Sequence, residues 1–322
     1  MAVYTKLSEE DIEKILSSYS IGKLDKFENI EEGIENSNFL IFVDNKKYIL
    51  TIYEKRVKKE DLPFFSELMI SLNISGFKCP KPILNNNKNS ITDFKNKKLM
   101  IVSFVEGKPK INLSPENCKS IGLETARLHG LTKNLKIFRE NDLSINSWRK
   151  IFDQVKDKCI DIHKDLPSLI ESNLVDVEKN WPNDLPKGVI HADLFEDNIF
   201  FKNNNFSGII DFYFSCYDFY AFEIAICFNA LCFDGSKSNL SFNVTKARNF
   251  IDGYTQIRAL TNEEKKSIKV LSQGAALRFL LTRVFDSLNT VKGAVVKVKD
   301  PMEYLKRLEF HKNSRSFEDY FF

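Results

Sequence analysis

Residues 189–214 constrain the chain more than any other stretch. They contain His191, Asp193 and Asn198, then a short apolar segment, a polar turn and a second apolar segment that ends on Asp211. Two apolar segments joined by a short polar turn predict a β-hairpin. We therefore expect the two ends of this hairpin to deliver oxygen-bearing side chains to one place.

The side chains at these positions match the chemistry of phosphoryl transfer. The amide oxygen of Asn198 and the carboxylate of Asp211 suit Mg²⁺, a hard cation that binds few protein groups together with phosphate oxygens. Asp193 is placed to orient and deprotonate a hydroxyl, and we expect His191 to support the loop through hydrogen bonds. A single Asp or Asn in a loop usually caps a helix or makes a turn. The order His-x-Asp-x-x-x-x-Asn, hairpin, Ile-Asp-Phe is instead typical of a kinase catalytic loop and metal loop.

Composition excludes several other classes of protein. The chain has 322 residues, 43% hydrophobic and 28% charged, with a net charge of +3, and no basic patch alternates with stacking aromatic residues; this argues against nucleic-acid binding. No apolar run approaches the roughly 20 residues of a membrane span, so we expect no membrane association and a cytoplasmic protein. The six cysteines form no CxxC pair and the four histidines are scattered, which argues against a zinc site.

The pattern of apolar residues predicts two lobes. Alternation predicts a small antiparallel set of strands, followed by an amphipathic helix and a buried strand. Residues 106–109, Glu-Gly-Lys-Pro, break that pattern sharply. We therefore expect an α+β fold: a small, mainly antiparallel-β nucleotide-binding lobe over residues 1–105, a hinge near residues 103–109, and a larger helical catalytic and substrate-binding lobe over residues 106–322. The predicted elements of the first lobe are strands 26–30, 38–43, 47–53 and 98–105 and helix 60–74.

Two segments of the first lobe are candidates for nucleotide contacts. A strand that leads directly into a hinge is where kinases bind adenine through backbone groups, and Ser103, Phe104 and Val105 occupy that place here. The polar turn that ends with Asn36 and Ser37 is expected to cover the phosphates with N–H groups and small side chains. An ordinary hairpin turn would have the same composition.

The chain resembles the aminoglycoside phosphotransferase and choline kinase group, whose members share the bilobal protein-kinase-like fold. Within that group it is most similar to bacterial homoserine kinases. The segments that carry the resemblance are GIENSNF at 33–39, YILTIYEKRV at 48–57, GVIHADLFEDNIFF at 188–201, IIDFYFSC at 209–216, GAALRFLLTR at 274–283 and KDPMEYL at 299–305. The resemblance implies ATP- and Mg²⁺-dependent phosphorylation of the side-chain hydroxyl of L-homoserine to O-phospho-L-homoserine, a step of threonine biosynthesis, by a monomer or homodimer.

The resemblance also assigns roles to individual residues. It implies that Asp193 is the base, that Asn198 and Asp211 hold Mg²⁺ and that His191 braces the loop. Most kinases of this fold carry a Lys or Arg on the third strand for the α- and β-phosphates. Here Thr51 stands at that position, with Ile49 over the adenine. Because strand residues alternate between faces, Lys55 would lie on the same side as Thr51 and could supply the missing cation.

The implied substrate is a zwitterion, so its pocket needs a cation for the carboxylate and an acid for the ammonium. Arg278 and Arg283 are the candidates for the carboxylate, and Asp218 and Glu223 for the ammonium. Tyr213 is expected to shape the pocket. The arginines are equally compatible with ion pairs on a helix surface, and Glu223 with a bracing role in the helical core.

Two alternative functions remain open on the sequence. A choline-, ethanolamine- or aminoglycoside-type kinase would have the same loop but a pocket suited to cations. A catalytically inactive kinase-fold binding module is weakly favoured by Thr51 and disfavoured by the intact Asp193, Asn198 and Asp211. A protein kinase is disfavoured, because no recognisable activation loop follows Asp211.

Overall fold

The computed structural model describes residues 5–30, 36–54, 57–235, 239–289 and 299–321. The chain divides into two compact units. The described residues up to Glu106, together with Ser207–Tyr213, form what we call the N-terminal unit. Residues 107–206, 214–235, 239–289 and 299–321 form the C-terminal unit.

The N-terminal unit is built on a five-stranded antiparallel sheet with the strand order β1-β2-β3-β5-β4. A capping box between Ser8 and Asp11 opens its first helix. The elements are α1 (Glu9–Leu16), β1 (Leu24–Ile30), β2 (Ser37–Val43), β3 (Lys46–Tyr53), α2 (Leu62–Ile74), β4 (Thr92–Phe94) and β5 (Lys97–Ser103). The predicted strands and helix of this region are confirmed, with ends shifted by one or two residues.

Alternation along β3 decides which side chains are buried in the sheet's core. Leu50 and Ile52 pack with Phe39 and Ile41 of β2 in one fully buried cluster. Because successive strand residues point to opposite faces, the intervening Thr51 lies on the other side of the sheet. The sequence pattern therefore determines both the core and the face that carries the polar residue.

The C-terminal unit is predominantly helical. Its helices are α3 (Pro115–Thr132), α4 (Ile145–Val155), α5 (Leu166–Asn180), α6 (Tyr220–Leu231), α7 (Val244–Tyr254), α8 (Asn262–Asn289) and α9 (Met302–Asn313). Its strands are β6 (Lys108–Pro109), β7 (Lys187–Ile190), β8 (Ile199–Lys202), β10 (Cys216–Phe219), β11 (Phe233–Asp234) and β12 (Ser241–Phe242). The strand β9 (Asn205–Ile209) starts in this unit and ends in the other.

Local sequence explains several helix starts. A capping box opens α8: the N–H of Glu264 donates to Thr261 Oγ1 at 3.1 Å, and the N–H of Thr261 donates to Glu264 Oε2 at 2.9 Å. The helix α3 continues through Gly130 to Thr132. Glycine weakens a helix interior by only about 1 kcal/mol, which tertiary packing overrides.

Two strands and a helix position the catalytic loop. β7 pairs antiparallel with β10, with Ile190 opposite Cys216. β7 therefore leads into His191, while β10 leads into α6. The turn of β8 and β9 is made by Asn203 and Asn204, both with positive φ, as a two-residue hairpin requires.

The six cysteines are free and buried. None of the helices in the described ranges combines the length and the apolar character that a bilayer span requires.

Candidate active site

The loop between β7 and β8 brings Asp193 and Asn198 together. The amide nitrogen of Asn198 donates to the backbone oxygen of Asp193 at 2.8 Å and to its carboxylate Oδ2 at 3.1 Å. A 3₁₀ turn at Glu196–Asn198 sets this geometry. Because both hydrogen bonds use the amide nitrogen, the amide oxygen of Asn198 is the group that this side chain can offer to a hard cation.

The side chain of His191 supports this loop through a hydrogen bond to its backbone. The residue is fully buried, and its Nδ1 accepts the backbone N–H of Asp193 at 3.3 Å. An imidazole that is buried and bound to the loop backbone fixes the path of the chain to the catalytic carboxylate. This contact agrees with the supporting role that the motif implies.

Ala192 adopts a left-handed conformation, with φ of 63°, which is uncommon for any residue but glycine. Its N–H donates to Glu223 Oε1 at 3.0 Å, and its carbonyl accepts from Arg278 Nη1 at 2.7 Å. The N–H of His191 donates to the same carboxylate. A strained residue persists only where its surroundings over-determine it, and here an anion binds the N–H and a cation binds the carbonyl of the same residue.

These contacts correct two of the predicted substrate contacts. Glu223 has an exposed fraction of 0% and Arg278 of 2%, and both bind the backbone of the catalytic loop. Glu223 cannot reach a substrate ammonium, because its carboxylate is buried against the N–H groups of His191 and Ala192. Arg278 packs over the ring of Phe279 at 4.6 Å. Both side chains position the loop instead.

Arg283 and Asp218 also bind protein groups. Arg283 Nη1 donates to the carboxylate of Glu303 at 2.9 Å. Asp218 accepts from Asn141 Nδ2 at 2.6 Å and from the N–H of Phe219 at 2.7 Å. Burial raises the pKa of Asp218 above its ordinary value. Both side chains are only partly buried, and their contacts with the substrate stay predictions.

Asp211 lies in the N-terminal unit, just beyond β9, and is exposed. It also has a left-handed φ of 63°, so each of the two loops that carry a predicted catalytic carboxylate contains one strained residue. Tyr213 packs edge-on against Tyr53 and Phe65, with ring centroids 5.2 and 5.7 Å apart. Burial raises the pKa of Tyr213 to about 12. The ring therefore supports the segment after Asp211, and its predicted place in a substrate pocket stays a prediction.

The side chains of Asn36 and Ser37 bind Glu54. Ser37, which is fully buried, donates to Glu54 Oε1 at 2.8 Å, and Thr5 donates to the same oxygen at 2.6 Å. Lys97 Nζ donates to Oε2, and Asn36 Oδ1 accepts the N–H of Glu54 at 3.3 Å. The side-chain oxygens of Asn36 and Ser37 therefore hold β2 to the end of β3, and the contact of these two residues with the phosphates stays a prediction.

Thr51 likewise has a protein partner. Its hydroxyl donates to Asn38 Oδ1 at 2.8 Å, and the residue is buried. The hydroxyl therefore joins β3 to β2, and the contact of Thr51 with phosphate stays a prediction. Ile49 is half-buried on the same face of β3, and its predicted contact with adenine stays a prediction. Lys55, the other predicted phosphate contact, lies outside the described residues.

The strand end at residues 103–105 offers one backbone donor for a base. The N–H of Ser103 donates to the carbonyl of Lys81 at 2.9 Å, and the N–H of Phe104 donates to the carbonyl of Lys47 at 3.4 Å. Within the described part of the chain, the N–H of Val105 has no such partner. Of the three predicted adenine contacts, Val105 is therefore the one with an amide to donate.

Comparison with known proteins identifies the family of this chain. The family model described as the phosphotransferase enzyme family (APH) matches residues 26–260, which include the whole catalytic loop and Asp211. The chain belongs to the phosphotransferase enzyme family. A homoserine kinase of Xanthobacter autotrophicus is 44% identical over 320 residues, covering 99% of each chain. A homoserine kinase of Parvibaculum lavamentivorans is 43% identical over 316 residues, covering 98% of each chain.

Solved structures of this phosphotransferase family's fold are similar over almost the whole chain. An amicoumacin kinase in complex with AMP-PNP and Ca²⁺ has a TM-score of 0.70 at 13% identity, covering 97% of this chain and 95% of its own. A choline kinase of Cryptosporidium parvum has a TM-score of 0.66 at 18% identity, covering 95% and 94%. At these identities the likeness shows the fold alone: the kinase-like α+β fold predicted from the sequence is confirmed.

The bracing of Ala192 by Glu223 and Arg278 is what sequence reasoning missed, although a signal for it existed. Glu223 is the charged residue of α6, YAFEIAICFNAL, and Arg278 lies within the apolar stretch GAALRFLL of α8. A charge in a helix that is otherwise apolar is expected to be buried with a polar partner. That rule predicts burial and pairing for both residues, but not that both bind the backbone of Ala192.

Proposed function

We propose that this phosphotransferase is a homoserine kinase, which transfers the γ-phosphoryl group of ATP to the side-chain hydroxyl of L-homoserine. The observation that carries the proposal is the full-length similarity to homoserine kinases at 39–44% identity. The sequence identity to the amicoumacin kinase and the choline kinase is far lower, at 13% and 18%. Because the reaction draws on ATP, we also infer that the enzyme works in the cytoplasm.

The catalytic loop supplies the base in this proposal. Asp193 accepts the proton of the homoserine hydroxyl and orients its oxygen toward the γ-phosphorus. Phosphoryl transfer needs little covalent help from the protein, so positioning is most of the catalysis. The contacts of His191, Glu223 and Arg278 contribute to this positioning, because they fix the backbone directly before Asp193.

The nucleotide is assigned to the N-terminal unit and the acceptor to the C-terminal unit. The N–H of Val105 donates to the adenine, and Ile49 packs on the base. Asn198 and Asp211 are assigned to Mg²⁺, which would neutralise charge on the phosphates when bound; the basis is the order of the motif and the hard oxygen donors. No group of three or more His, Cys, Asp or Glu side chains that could hold a metal occurs among the described residues, so phosphate and water would supply the remaining ligands.

The test is turnover by the purified protein with ATP and Mg²⁺. ADP release is measured with L-homoserine, choline, ethanolamine and an aminoglycoside at equal concentrations, and the phosphorylated product is identified by mass spectrometry. We expect homoserine to have the highest kcat/KM. A preference for choline or an aminoglycoside would reject the proposal, and absence of turnover with all four would favour a binding module. Size-exclusion chromatography with light scattering of the same sample distinguishes monomer from homodimer.

The variant D193N tests the assignment of the base. Replacing Asp193 by Asn keeps the shape of the side chain but removes the proton acceptor. We expect kcat to fall by about 10²- to 10⁴-fold, the range typical of losing a general base, with the KM for ATP changed little. The matched control is D153N, because Asp153 is an exposed residue of α4 that pairs with Lys156. Activity of D193N close to that of the control would exclude Asp193 as the base.

A further inference from the structure

A buried histidine beside the catalytic loop has one ring nitrogen without a hydrogen-bond partner. His129 lies near the end of α3 and has an exposed fraction of 1%. Its Nδ1 is 2.8 Å from the hydroxyl of Tyr254, whereas its Nε2 has no hydrogen-bond partner among the described residues. This Nε2 lies 3.9 Å from Oε2 of Glu223, the carboxylate that binds the N–H groups of His191 and Ala192. His129 therefore faces the acid that holds the backbone of the catalytic loop.

The hydrogen bonds of Tyr254 determine which nitrogen of His129 carries the proton. Burial lowers the pKa of His129 and outweighs the opposing effect of Glu223, so the ring is neutral at neutral pH and has one N–H group. Arg258 Nη1 donates to the Tyr254 hydroxyl at 3.2 Å, and a guanidinium can only donate. The proton of that hydroxyl is then available to His129 Nδ1, which accepts it. The N–H of the ring is therefore at Nε2, and the opposite tautomer would turn a lone pair toward Glu223.

Arg258 is itself held by a buried acid. Its Nη2 donates to Glu264 Oε1 at 2.7 Å, and Glu264 is fully buried in the first turn of α8. The guanidinium of Arg258 also lies over the ring of Tyr220, 4.8 Å from its centroid. The imidazole of His129 packs against the same ring, with the two centroids 4.5 Å apart. The ring of His129 therefore has a fixed position as well as a fixed tautomer.

Close packing of α3 against α7 brings His129 and Tyr254 together. Gly122 and Gly253 lie where the two helices meet. A Cβ at Gly122 would be 2.0 Å from a backbone oxygen of α7, and a Cβ at Gly253 would be 1.9 Å from a backbone oxygen of α3. A side chain at either position would force the helices apart, because glycine alone permits so close a backbone approach. The contact between His129 and Tyr254 is thus built into the helix packing.

The Glu223 carboxylate gains from every donor directed at it, because a buried charge is costly unless it is hydrogen-bonded or paired. Glu223 is fully buried and accepts two backbone N–H groups of the loop. A carboxylate has about four acceptor positions, so a third donor stabilises it further. The Nε2–H of His129 supplies that donor as an oriented dipole. The attraction of a dipole to a charge is stronger in the protein interior than in water.

We propose that His129 is a positioning residue of the catalytic loop. Its Nε2–H group, directed by the hydroxyl of Tyr254, holds the Glu223 carboxylate against the two backbone N–H groups that this carboxylate binds. The backbone directly before Asp193 is thereby kept in the conformation that orients the acceptor hydroxyl. This assignment rests on the proposed function, in which Asp193 is the base, and His129 acts on that base through Glu223.

The experiment compares His129→Asn with His129→Gln. The amide nitrogen of Asn corresponds in position to Nδ1 of His and that of Gln to Nε2, so H129N loses the donor toward Glu223 whereas H129Q keeps one. With L-homoserine as the acceptor, we expect H129N to lower kcat about 5- to 30-fold, as for loss of a contact with a charged group, and H129Q to stay within about threefold of wild type. The KM values for ATP and homoserine should stay within about twofold in both variants, because the change affects the transfer step.

His311 provides the matched control, because it forms a similar buried pair with a tyrosine in the same unit. Its Nδ1 is 3.0 Å from the hydroxyl of Tyr320, and its Nε2 is 3.1 Å from Asn229 Oδ1. H311N should lower the free energy of unfolding, measured in urea, and leave kcat within about twofold of wild type. A purely structural role of His129 predicts instead that H129N and H311N have the same effects on stability and on kcat.

A double-mutant cycle with Glu223→Gln tests whether His129 acts through Glu223. In the E223Q background H129N should lower kcat by less than about threefold, because residues that act through one contact are not additive. The same cycle, measured by urea unfolding, reports the coupling without any turnover. Tyr254→Phe replaces H129N if that variant does not fold. It should lower kcat about 3- to 10-fold, while the matched variant Tyr320→Phe leaves kcat unchanged.

The outcomes separate the two claims. The same kcat in H129N and H311N, the same kcat in H129N and H129Q, or additive effects of H129N and E223Q would each overturn the positioning role and leave the homoserine kinase proposal standing. Wild-type enzyme that phosphorylates another acceptor but not homoserine would reject the proposed function. The same variants, assayed with that acceptor, would then decide the role of His129.

Discussion

Two buried carboxylates, one in each unit, are stabilised in different ways. Glu223 has an exposed fraction of 0% and accepts backbone N–H groups of His191 and Ala192. The Glu54 side chain is 6% exposed and accepts side-chain donors of Lys97, Thr5 and Ser37. The first carboxylate therefore fixes the path of a backbone, whereas the second fixes side chains.

This difference indicates a separate role for Glu223 and for Glu54. A carboxylate that binds consecutive N–H groups determines backbone conformation, and here that conformation includes the left-handed Ala192 immediately before Asp193. A carboxylate that binds side chains from the segment before α1, from β2 and from β5 joins those segments. We expect substitution of Glu223 to affect catalysis first, and substitution of Glu54 to affect stability first.

The largest effect is expected for Glu223→Gln. The amide nitrogen of Gln would face at least one backbone N–H, so the strained peptide at Ala192 would relax and Asp193 would move. A displacement of about 1 Å near reacting groups costs on the order of 10²-fold in rate. Steady-state kinetics should show kcat reduced by about that factor with a small change in the KM for ATP. The control is E171Q, at an exposed helix residue; if E223Q matches it in kcat, the bracing role is refuted.

A smaller effect is expected for Glu54→Gln, on stability and its pH dependence. Burial opposes ionisation of Glu54, but the hydrogen bonds from Lys97, Thr5 and Ser37 outweigh it, and the pKa lies below its ordinary value of 4.5. At pH 7 we expect the free energy of unfolding to fall by about 1–3 kcal/mol in E54Q, as for loss of hydrogen bonds to a charged group.

The sign of the pH dependence follows from the direction of that shift. Because the folded-state pKa is lowered, the stabilisation is fully present above 4.5 and is lost as the pH falls through the folded-state value. Urea unfolding of wild type and E54Q should therefore differ most near neutral pH and converge below about pH 4.5. E28Q, at an exposed residue paired with Lys26, should show neither effect. A difference between wild type and E54Q that stays constant with pH would contradict this account.

The smallest effect is expected for Thr51→Val. The substitution keeps the shape of the side chain and removes its hydrogen bond to Asn38, which should lower the free energy of unfolding by about 1 kcal/mol. The KM for ATP should stay within twofold of wild type, because the hydroxyl serves the sheet. A tenfold rise in that KM, with unchanged stability, would restore Thr51 as a phosphate ligand.

The parts of the site that could be predicted from the sequence are those defined within one short segment. The spacing of His191, Asp193 and Asn198 placed all three on one loop, and their mutual hydrogen bonds follow from that proximity. The partners of the residues predicted to bind substrate could not be predicted in this way. Arg278 and Arg283 are similar in sequence context, yet one binds a loop carbonyl and the other a neighbouring carboxylate. Residue type and spacing do not distinguish these partners.

The sequence by itself determined the strands of the sheet, the helices, the catalytic loop and its order of functional groups, because hydrophobic periodicity and local spacing act over a few residues. Tertiary structure alone decided which charged side chains are bound inside the protein. Glu223 and Ala192 are 31 residues apart, and Arg278 and Ala192 are 86 apart. Partners so distant along the chain are brought together by packing, which residue type and local spacing do not determine.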